Sequence, residues 1–437
     1  MRLFHIADLH LGKTLHGYDL LEDQAHILNG IAAKIGEMRP EVLLVAGDIY
    51  DRAIPPVEAI RLFDIFLGEA RKAAPDLKIV IIPGNHDSAG RLSFGASLLA
   101  DSGLHIAARF AVAPILAAGE GKERFVVWAL PFLTQSSAKW GELAEADSGT
   151  AADSGTAGEG GSGQVRANAT IRSQQEMMGL AVRAIREAMD PGVTNILLAH
   201  CFASGALAGD SELAFIGAAE QVDVTLFKGF DYVALGHLHS RQSPAPRVWY
   251  SGAPLAYSAG DAARGYAPRI LAQPSVFASD AGKGFLAVDV AVGEMPRVEF
   301  VSLVPKRRLR MLSGLFDGLL ANPLPEDERD DYIEVHILDD EAVLNATERL
   351  RELYPHLLGV TQRAFEARWG AEAGAAAPEG GMEALRRARG AGNDADRVDV
   401  AKSDFRDFYG EMMGQAPDEA MEMLFESMAR EASDASD

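Results

Sequence analysis

The most informative stretch of this sequence runs Lys78-Ile79-Val80-Ile81-Ile82-Pro83-Gly84-Asn85-His86-Asp87. Its first half is a continuous apolar run, which is typical of a strand that is buried on both faces of a sheet. Its second half begins with a glycine, where the backbone can bend sharply, and continues with an amide, an imidazole and a carboxylate. These three side chains can bind a metal ion or a phosphate. A polar turn is the alternative interpretation, because turns of this composition are common.

The same pattern of an apolar run followed by polar residues occurs upstream. Residues Arg2–Ala7 are interpreted as a strand that ends at Asp8, and the run Glu41–Ala46 is followed by Gly47 and Asp48. Between these two strands, apolar residues at helical spacing predict a helix over Leu20–Met38. The alternation of strands and helices predicts a layered α/β domain.

Further strands are predicted downstream, at residues 124–130, 195–199, 232–235 and 248–250, with a helix at 170–189. An Ala-, Gly- and Ser-rich segment at about 141–165 is predicted to be a flexible surface insertion, because strands resume beyond it. Residues 261–283 are predicted to form a long irregular loop. The stretches 284–290 and 297–304 then predict a two-stranded return to a sheet edge.

The pattern changes in the last third of the chain. Residues 331–337 alternate between apolar and polar as a half-buried strand does, and 341–353 predict a helix, which together indicate a small α+β domain. Residues 366–396 are interpreted as a weakly ordered linker. The segment 405–428 carries Phe and Met residues in an acidic background, and we expect it to contact a partner.

Composition limits the possible functions of the 437-residue chain, whose length predicts two or three domains. Its formal net charge of -22 argues against a free-standing nucleic-acid binder, because counterion release requires a basic surface. The densest basic run, Lys306–Arg310, is interpreted as a solvated linker, with contact to a nucleic-acid backbone as the alternative. The absence of an apolar run of roughly 20 residues excludes a membrane helix and a membrane partner. The single cysteine, Cys201, fits a reducing compartment, and we expect a cytoplasmic protein.

Five short polar stretches each follow an apolar run: Asp8-Leu9-His10, Gly47-Asp48, Gly84-Asn85-His86-Asp87, His200 and Gly236-His237-Leu238-His239. In an open α/β sheet the carboxyl ends of the strands share one edge, so we expect these side chains to converge there. Imidazole, carboxylate and amide donors together suit Mn, Fe, Zn or Ni. A carboxylate such as that of Asp48 has two oxygens, with which it can bridge two ions roughly 3.5 to 4 Å apart.

In this order the five motifs resemble the calcineurin-like metallophosphoesterases. The local sequences similar to one bacterial branch of them, the SbcD-type nuclease subunits, are Ala7–Lys13, Gly47–Arg52, Gly84–Ser88 and Tyr250–Pro254. The resemblance implies a four-layer β-sandwich flanked by helices over residues 1–305. It further implies a small α+β capping domain over 306–385, and a linker with a helical partner-binding tail over 386–437.

The same resemblance implies a site that holds two divalent metal ions, with Mn²⁺ as the expected metal. One ion would be bound by Asp8, His10, Asp48 and His239, and the second by Asp48, Asn85, His200 and His237. His86 would be a catalytic imidazole beside the scissile phosphate, and Asp87 would orient it or a neighbouring loop.

Three further residues near the motifs are singled out. Arg52 and Arg91 are candidates for contacting substrate phosphates, with an ordinary surface role as the alternative. Relatives in archaea and eukaryotes often carry a second catalytic histidine three residues after the bridging aspartate, where this chain has Asp51. His86 is therefore the only imidazole to which the resemblance assigns the role of acid.

The function implied by the resemblance is that of a metal-dependent DNA nuclease in repair, recombination and replication. It would act as an exonuclease on double-stranded ends and as an endonuclease on single strands and hairpins. Its partner would be a coiled-coil ATPase of the SbcC type, bound through the tail, with a homodimer inside a heterotetramer. Two alternatives stay open: a stand-alone phosphodiesterase for small nucleotides, and a non-catalytic scaffold. The scaffold predicts a broken ligand set, whereas the set in this sequence is complete.

Overall fold

The computed structural model describes residues 1–134, 136–138, 140, 173–207, 221–258, 275–278 and 283–363. The predicted insertion at 141–165, the predicted linker at 366–396 and the predicted tail at 386–437 lie outside the described residues. Residues Met1–Gln362 form one compact unit. The predicted boundary at 305/306 therefore stays a prediction.

The described secondary structure is numbered here in chain order. The strands are β1 (Arg2–Ile6), β2 (Thr14–Leu15), β3 (Tyr18–Asp19), β4 (Val42–Ala46), β5 (Lys78–Ile82), β6 (Leu104–Ile106), β7 (Leu116–Ala118), β8 (Phe125–Leu130), β9 (Thr194–His200), β10 (Phe202–Ala203), β11 (Gln221–Val222), β12 (Tyr232–Gly236), β13 (Gln242–Ala245), β14 (Val248–Tyr250), β15 (Ser275–Ala278), β16 (Gly284–Asp289), β17 (Arg297–Ser302), β18 (Leu309–Gly314), β19 (Tyr332–Ile337) and β20 (Leu357–Gln362). The α-helices are α1 (Leu21–Met38), α2 (Val57–Ala73), α3 (Ala89–Leu92), α4 (Ala96–Ala100), α5 (Gln174–Ala188), α6 (Phe316–Ala321) and α7 (Ala346–Arg351). None of the described helices is both long and apolar enough to cross a membrane.

Two six-stranded sheets form the main body of the molecule. Their strand orders are β17-β16-β1-β4-β5-β6 and β13-β14-β12-β9-β8-β7. In the first sheet β1, β4 and β5 are parallel, and in the second β8, β9 and β12 are parallel. The predicted two-stranded return is confirmed, because β16 pairs antiparallel with β1 and β17 closes that edge.

The two sheets pack face to face between two layers of helix. Leu44 and Val80 of the first sheet share one buried apolar cluster with Leu198 and Ala234 of the second. On its outer face the first sheet packs against α1 and α2. The second sheet packs against α5 on the opposite side. These four layers, helix, sheet, sheet and helix, are the sandwich that the resemblance implies.

The expectation of a single open sheet edge is wrong. The strands that precede the five motifs are divided between the two sheets, with β1, β4 and β5 in one and β9 and β12 in the other. The physical reason lies in burial, since β4, β9 and β12 are buried along their whole length. A strand covered on both faces has a continuous apolar sequence whether a helix or a second sheet covers it.

A third, four-stranded sheet, ordered β15-β18-β19-β20, lies in the C-terminal part of the compact unit. With α6 and α7 it surrounds its own apolar cluster, which includes Phe316, Val335 and Leu350. The helix predicted over 341–353 is shorter, since it begins at Ala346 after Asn345, whose φ of 54° is left-handed. The loop predicted over 261–283 also needs correction, because β15 lies within it and pairs with β18.

Candidate active site

The five polar motifs lie at the same end of the two packed sheets. Asp8, Asp48 and Asn85 follow the parallel strands β1, β4 and β5 of the first sheet. His200 is the last residue of β9 and lies opposite Gly236, the last residue of β12, in the second sheet. Because the sheets are stacked, the carboxyl ends of five strands meet at one place, and the predicted residues converge there.

Two glycines allow this convergence by close backbone approach. A Cβ atom at Gly84 would lie 2.1 Å from Oδ1 of Asp48, and one at Gly236 would lie 1.8 Å from the carbonyl oxygen of Ala46. Real Cβ atoms do not approach other atoms so closely. Glycine is therefore required at both positions, and any larger residue would move the motif loops apart.

Strained backbone is concentrated at the same place. Seven described residues other than glycine have positive φ, and four of them are candidate ligands: Asp8 (55°), His10 (42°), Asp48 (49°) and His237 (104°). A residue with a Cβ atom in this region costs of order 1–3 kcal/mol and persists only where its surroundings hold it. Such strain is frequent at active sites and ligand clamps.

The first group of donors lies around His10. Its Nε2 is 3.1 Å from Nε2 of His239 and 3.8 Å from Oδ2 of Asp48. Asp8 accepts the backbone N–H of His237 on Oδ1 at 2.9 Å, while its Oδ2 is buried and has no hydrogen-bond partner within the described part of the chain. A buried carboxylate oxygen without a donor is unusual, because such groups are nearly always satisfied.

The second group lies around Asn85. Its Oδ1 accepts hydrogen bonds from Nε2 of His200 and Nδ1 of His237, each at 3.0 Å. Oδ2 of Asp48 is 3.4 Å from Nε2 of His200. Donor atoms of Asp48, His200 and His237 all lie within 4.8 Å of one another, and all three residues are buried. Asp48 therefore belongs to both groups, as a bridging residue would.

His86 lies beside the first group. Its backbone N–H donates to Oδ1 of Asp48 at 2.9 Å, and its ring lies edge-on to that of His10 with centroids 4.9 Å apart. One donor atom of each of His10, Asp48 and His86 lies within 4.8 Å of the others. That spacing would also allow His86 to bind metal, so its role as an acid stays a prediction.

Asp87 holds two motif loops together. Its carboxylate accepts the backbone N–H groups of Gly84, Ile49 and Tyr50 at 2.9, 3.1 and 3.0 Å. Burial, together with the negative charge of Asp48, raises the pKa of Asp87 to about 6. Of the two predicted supporting roles, these contacts favour orientation of a loop over direct orientation of the His86 ring.

Charge at the centre of the site is unevenly distributed. Burial raises the pKa of Asp8 to about 7, and it lowers the pKa values of His10 and His237 to about 4 and about 3. Burial opposes the charged forms of Asp48 and His200 as well, but their mutual attraction outweighs it. The pKa of Asp48 therefore falls well below its ordinary value, and that of His200 rises to about 9. His10 and His237 are consequently neutral near pH 7, which is the state that binds metal.

Several residues that support the site were not predicted from the sequence. Lys13 binds Oδ1 of Asp51 at 2.7 Å, and that oxygen is 3.6 Å from Nδ1 of His10. The ring of Tyr257 lies edge-on to His10 and His239, with centroid distances of 5.5 and 5.7 Å. Lys13 lies within the first motif segment, Ala7–Lys13, but nothing in the sequence pattern connects residue 257 with residue 10.

Lys283 and Gln24 also lie close to the predicted ligands. Lys283 is buried and donates from Nζ to the carbonyl oxygen of His239 at 2.9 Å. Gln24 is buried at the start of α1 and donates to the carbonyl oxygen of His10 at 2.8 Å. The sequence carries no signal for either, since buried polar residues on a helix or beside a strand belong to no motif.

The two candidate substrate-binding arginines lie on the surface near the motif loops. The side chain of Arg52 is 72% exposed, with Nε 3.9 Å from Oδ2 of Asp51. Arg91 is exposed on α3, the short helix that follows Asp87. Their exposure is compatible both with a role in binding phosphate and with an ordinary surface position.

The chemistry of the converging residues fits two divalent cations. The predicted metal-binding atoms are imidazole nitrogens, an amide oxygen and the oxygens of two buried carboxylates. Within the described structure, Oδ2 of Asp8 accepts no hydrogen bond and is therefore available to a cation. His200 donates from Nδ1 to the carbonyl oxygen of Ala46 at 2.7 Å, which directs Nε2 into the site. A hydrogen bond of this kind is the usual way in which proteins fix the orientation of a metal-binding histidine.

Comparison with known proteins agrees with this architecture. Residues 1–241, more than half of the chain, match the calcineurin-like phosphoesterase family, and the chain belongs to that family. Residues 305–388 match a second family, SbcD_C, described as the type 5 capsule protein repressor C-terminal domain. The two matches together are consistent with an SbcD nuclease subunit. The chain is thus a phosphoesterase with an SbcD-type C-terminal region.

One solved structure with a detectable similarity is a dimetal phosphatase from Danio rerio. It is 13% identical, the alignment covers 69% of this chain and 99% of that one, and the TM-score is 0.30. A similarity at this level carries no argument about the present chain.

Proposed function

We propose that this chain is the nuclease subunit of a DNA-processing complex and hydrolyses phosphodiester bonds as a two-metal enzyme. The observation that carries the proposal is that Asp48 is shared by two clusters of possible metal-binding atoms, one with His10 and His86 and the other with His200 and His237. His239 lies against His10, and Asn85 lies against His200 and His237. The match of residues 305–388 to the SbcD_C family supports the narrower assignment. The proposed activities are exonuclease on double-stranded ends and endonuclease on hairpins and single strands, in cytoplasmic DNA repair, recombination and replication.

The proposed ligands of the first ion are Asp8, His10, Asp48 and His239, and those of the second are Asp48, Asn85, His200 and His237. Mn²⁺ is the proposed metal, because mixed nitrogen and oxygen donors suit it. Two bound divalent ions supply Lewis-acid stabilisation of a phosphate and activation of the attacking water. The protein itself contributes the fixed positions of these donors on rigid strand ends.

The proposed acid is His86. Its Nδ1 lies 2.9 Å from the carbonyl oxygen of Asp51, which can only accept, so Nδ1 must carry a proton. Proton transfer to a leaving oxygen would therefore use Nε2. A positioned general acid contributes typically about 10²- to 10⁴-fold to the rate of such a reaction.

Three of the four basic residues in the run at 306–310 are paired with carboxylates. Lys306 is bound by Glu22, and Arg310 is buried and bound by Asp331. Arg307 is bound by three carboxylates, those of Glu22, Asp23 and Asp330. We therefore assign phosphate contact to the exposed residues Arg52 and Arg91, and the remaining basic surface to a partner subunit.

The proposed partners are a coiled-coil ATPase of the SbcC type and a second copy of this chain, as a homodimer within a heterotetramer. The segment 405–428 is the proposed binding site for the ATPase, because it carries apolar residues in an acidic background. The second copy is supported by exposed large apolar side chains, among them Ile54, Val57, Phe94 and Leu98, which are 71–88% exposed.

The proposal is tested by assaying the purified full-length chain with Mn²⁺, with and without the ATPase. The substrates are end-labelled linear duplex DNA, a DNA hairpin, single-stranded DNA and a small chromogenic phosphodiester. Degradation of the duplex and nicking of the hairpin are expected. Hydrolysis of the small diester alone would favour the stand-alone phosphodiesterase. Complete inactivity with metal and partner present would favour the scaffold.

The partner assignment is tested separately by truncation after Lys402. The shortened chain should hydrolyse the small diester at the rate of the full chain, because the candidate site lies before residue 260. It should no longer co-purify with the ATPase. Undiminished co-purification would show that the partner binds elsewhere.

A further inference from the structure

The first turn of α1 contacts the loop that carries two of the proposed ligands. Gln24 is 2% exposed, and its Nε2 donates to the carbonyl oxygens of His10 at 2.8 Å and Leu9 at 3.3 Å. Its Oε1 accepts the backbone N–H of Gly12 at 3.0 Å. One buried amide therefore fixes three successive parts of the loop that follows β1.

This loop needs such support, because its backbone is strained on both sides of Leu9. Asp8 and His10 have φ values of 55° and 42°, where side chains are disfavoured. Strained residues persist only when neighbouring groups hold them. The contacts of Gln24 lie immediately beside the two strained positions, so Gln24 is placed to maintain the ligand-bearing conformation.

The neighbouring residue on α1 contacts the C-terminal sheet instead. Asp23 is 2% exposed and accepts the backbone N–H of Arg307 at 3.1 Å, its Nη1 at 2.9 Å and the hydroxyl of Tyr332 at 2.9 Å. Tyr332 begins β19, and Arg307 lies two residues before the start of β18. The buried carboxylate of Asp23 is thus satisfied by groups from the region that matches the SbcD_C family.

A second contact links the C-terminal region to the segment between α1 and the loop that carries Asp8 and His10. The hydroxyl of Tyr18 donates to the carbonyl oxygen of Pro355 at 3.1 Å. Its ring also packs against Tyr332 and His356, with centroid distances of 6.2 and 5.3 Å. Residues 11–24 therefore lie between the first ligand loop and the C-terminal sheet and contact both.

We propose that Gln24 is a positioning residue for the proposed metal site and that Asp23 couples its position to the C-terminal sheet. Asp23 and Gln24 are consecutive residues of one helical turn, so a shift of one backbone position displaces the other. Movement of the C-terminal sheet would thereby change the affinity of the site that contains Asp8 and His10. This inference rests on the proposed function, because it assumes that those two residues bind metal.

The test measures Mn²⁺ binding by calorimetry to the full-length chain and its variants. Gln24→Leu should lower the affinity for one of the two Mn²⁺ ions about 10- to 100-fold, the usual range for a residue that orients a metal ligand. Arg307 is more than 280 residues away from Asp23 in the sequence. Arg307→Met should lower the affinity for the same Mn²⁺ ion by roughly 2- to 30-fold. If Gln24→Leu does not fold, Gln24→Glu replaces it, because it keeps an acceptor for Gly12 but loses the donor to His10.

Arg310→Met is the matched control for Arg307→Met. Arg310 is a buried arginine of the same sheet, bound to Asp331 and Glu328, and neither carboxylate belongs to α1. Its substitution should lower thermal stability but leave both Mn²⁺ affinities unchanged. Equal weakening by both variants would indicate general loosening of the sheet and would overturn the coupling.

The double variant Gln24→Leu with Arg307→Met completes a double-mutant cycle, which measures the coupling between the two residues. If the coupling passes through Gln24, the double variant should bind Mn²⁺ as weakly as Gln24→Leu alone, and no weaker. Fully additive losses, or unchanged affinity in Arg307→Met, would contradict it. A wild-type chain that binds no Mn²⁺ would instead contradict the proposed function, so the two failures are distinguishable.

Discussion

His86 donates its Nδ1–H to the main-chain carbonyl of Asp51 at 2.9 Å. The position of this imidazole is therefore set by the backbone of the loop after β4 and does not depend on the side chain at residue 51. The carboxylate of Asp51 contacts a different set of groups, namely Lys13 at 2.7 Å and the Nδ1 of His10 at 3.6 Å. One residue thus supports a proposed acid with its main chain and a proposed ligand with its side chain.

His86→Ala tests the role of the imidazole. We expect both Mn²⁺ ions to remain bound, because the two predicted ligand sets omit His86, while turnover of a small diester falls about 10²- to 10⁴-fold. Metal content is measured by plasma mass spectrometry and turnover by steady-state kinetics. His105→Ala is the control, since His105 lies on β6, away from the strand ends that carry the motifs. Loss of one ion in His86→Ala would identify His86 as a ligand, as its spacing from His10 and Asp48 also permits.

Asp51→Ala should separate the two functions of that residue. The carbonyl that accepts from His86 is retained in any substitution, whereas the contacts to Lys13 and His10 are lost. We expect Mn²⁺ affinity to fall about 10- to 100-fold, as for other residues that orient ligands. With saturating metal, turnover should return to within about threefold of wild type. Turnover that stays low at saturating metal would show that the carboxylate acts on the reaction itself.

Asp48→Asn removes the charge at the point that the two donor groups share. We expect loss of both ions and of measurable phosphodiesterase activity, because an amide offers one weak oxygen where the carboxylate offers two. Asp64→Asn, an exposed change on α2, is the charge-matched control and should behave as wild type. Two ions at full occupancy in Asp48→Asn would exclude a bridging role.

Much of the site could be predicted because its residues lie at the ends of strongly apolar strands. The run at residues 78–82 becomes β5, and the polar residues after it reach the site, as their position after a buried strand predicts. The same is true of Asp8 after β1 and His200 at the end of β9. Local sequence encodes these positions, because both the strand and its polar end are read from adjacent residues.

What could not be predicted depends on contacts between distant residues. The basic run at 306–310 has the composition of a solvated or DNA-binding segment, but Arg307 is held by Glu22 and Asp23. Those carboxylates lie on α1, which the sequence pattern identifies only as an amphipathic helix. The division of the motif strands between two sheets is hidden for a similar reason, since the sequence of a buried strand does not record what covers it.

His5 provides a test of the core between the sheets that is independent of metal. The structure buries its side chain completely. Its Nε2 donates to the carbonyl oxygen of Leu235 at 3.1 Å, so its Nδ1 accepts the hydroxyl of Tyr232 at 3.0 Å. Burial lowers the pKa of His5 to about 3, which keeps the ring neutral in the folded chain.

Linkage gives the sign of the pH effect. Between pH 6.5, the ordinary pKa of the ring, and about 3, the unfolded chain binds a proton that the folded chain does not. Stability is therefore complete above that window and falls as pH decreases through it, by up to about 1.4 kcal/mol per pH unit from this group. His5→Leu should abolish this part of the slope in urea-unfolding experiments on the metal-free chain. Tyr232→Phe is the matched control, because it removes the same hydrogen bond, lowers stability by about 1 kcal/mol and retains the buried imidazole. An identical slope in wild type and His5→Leu would show that folding does not shift the pKa of His5.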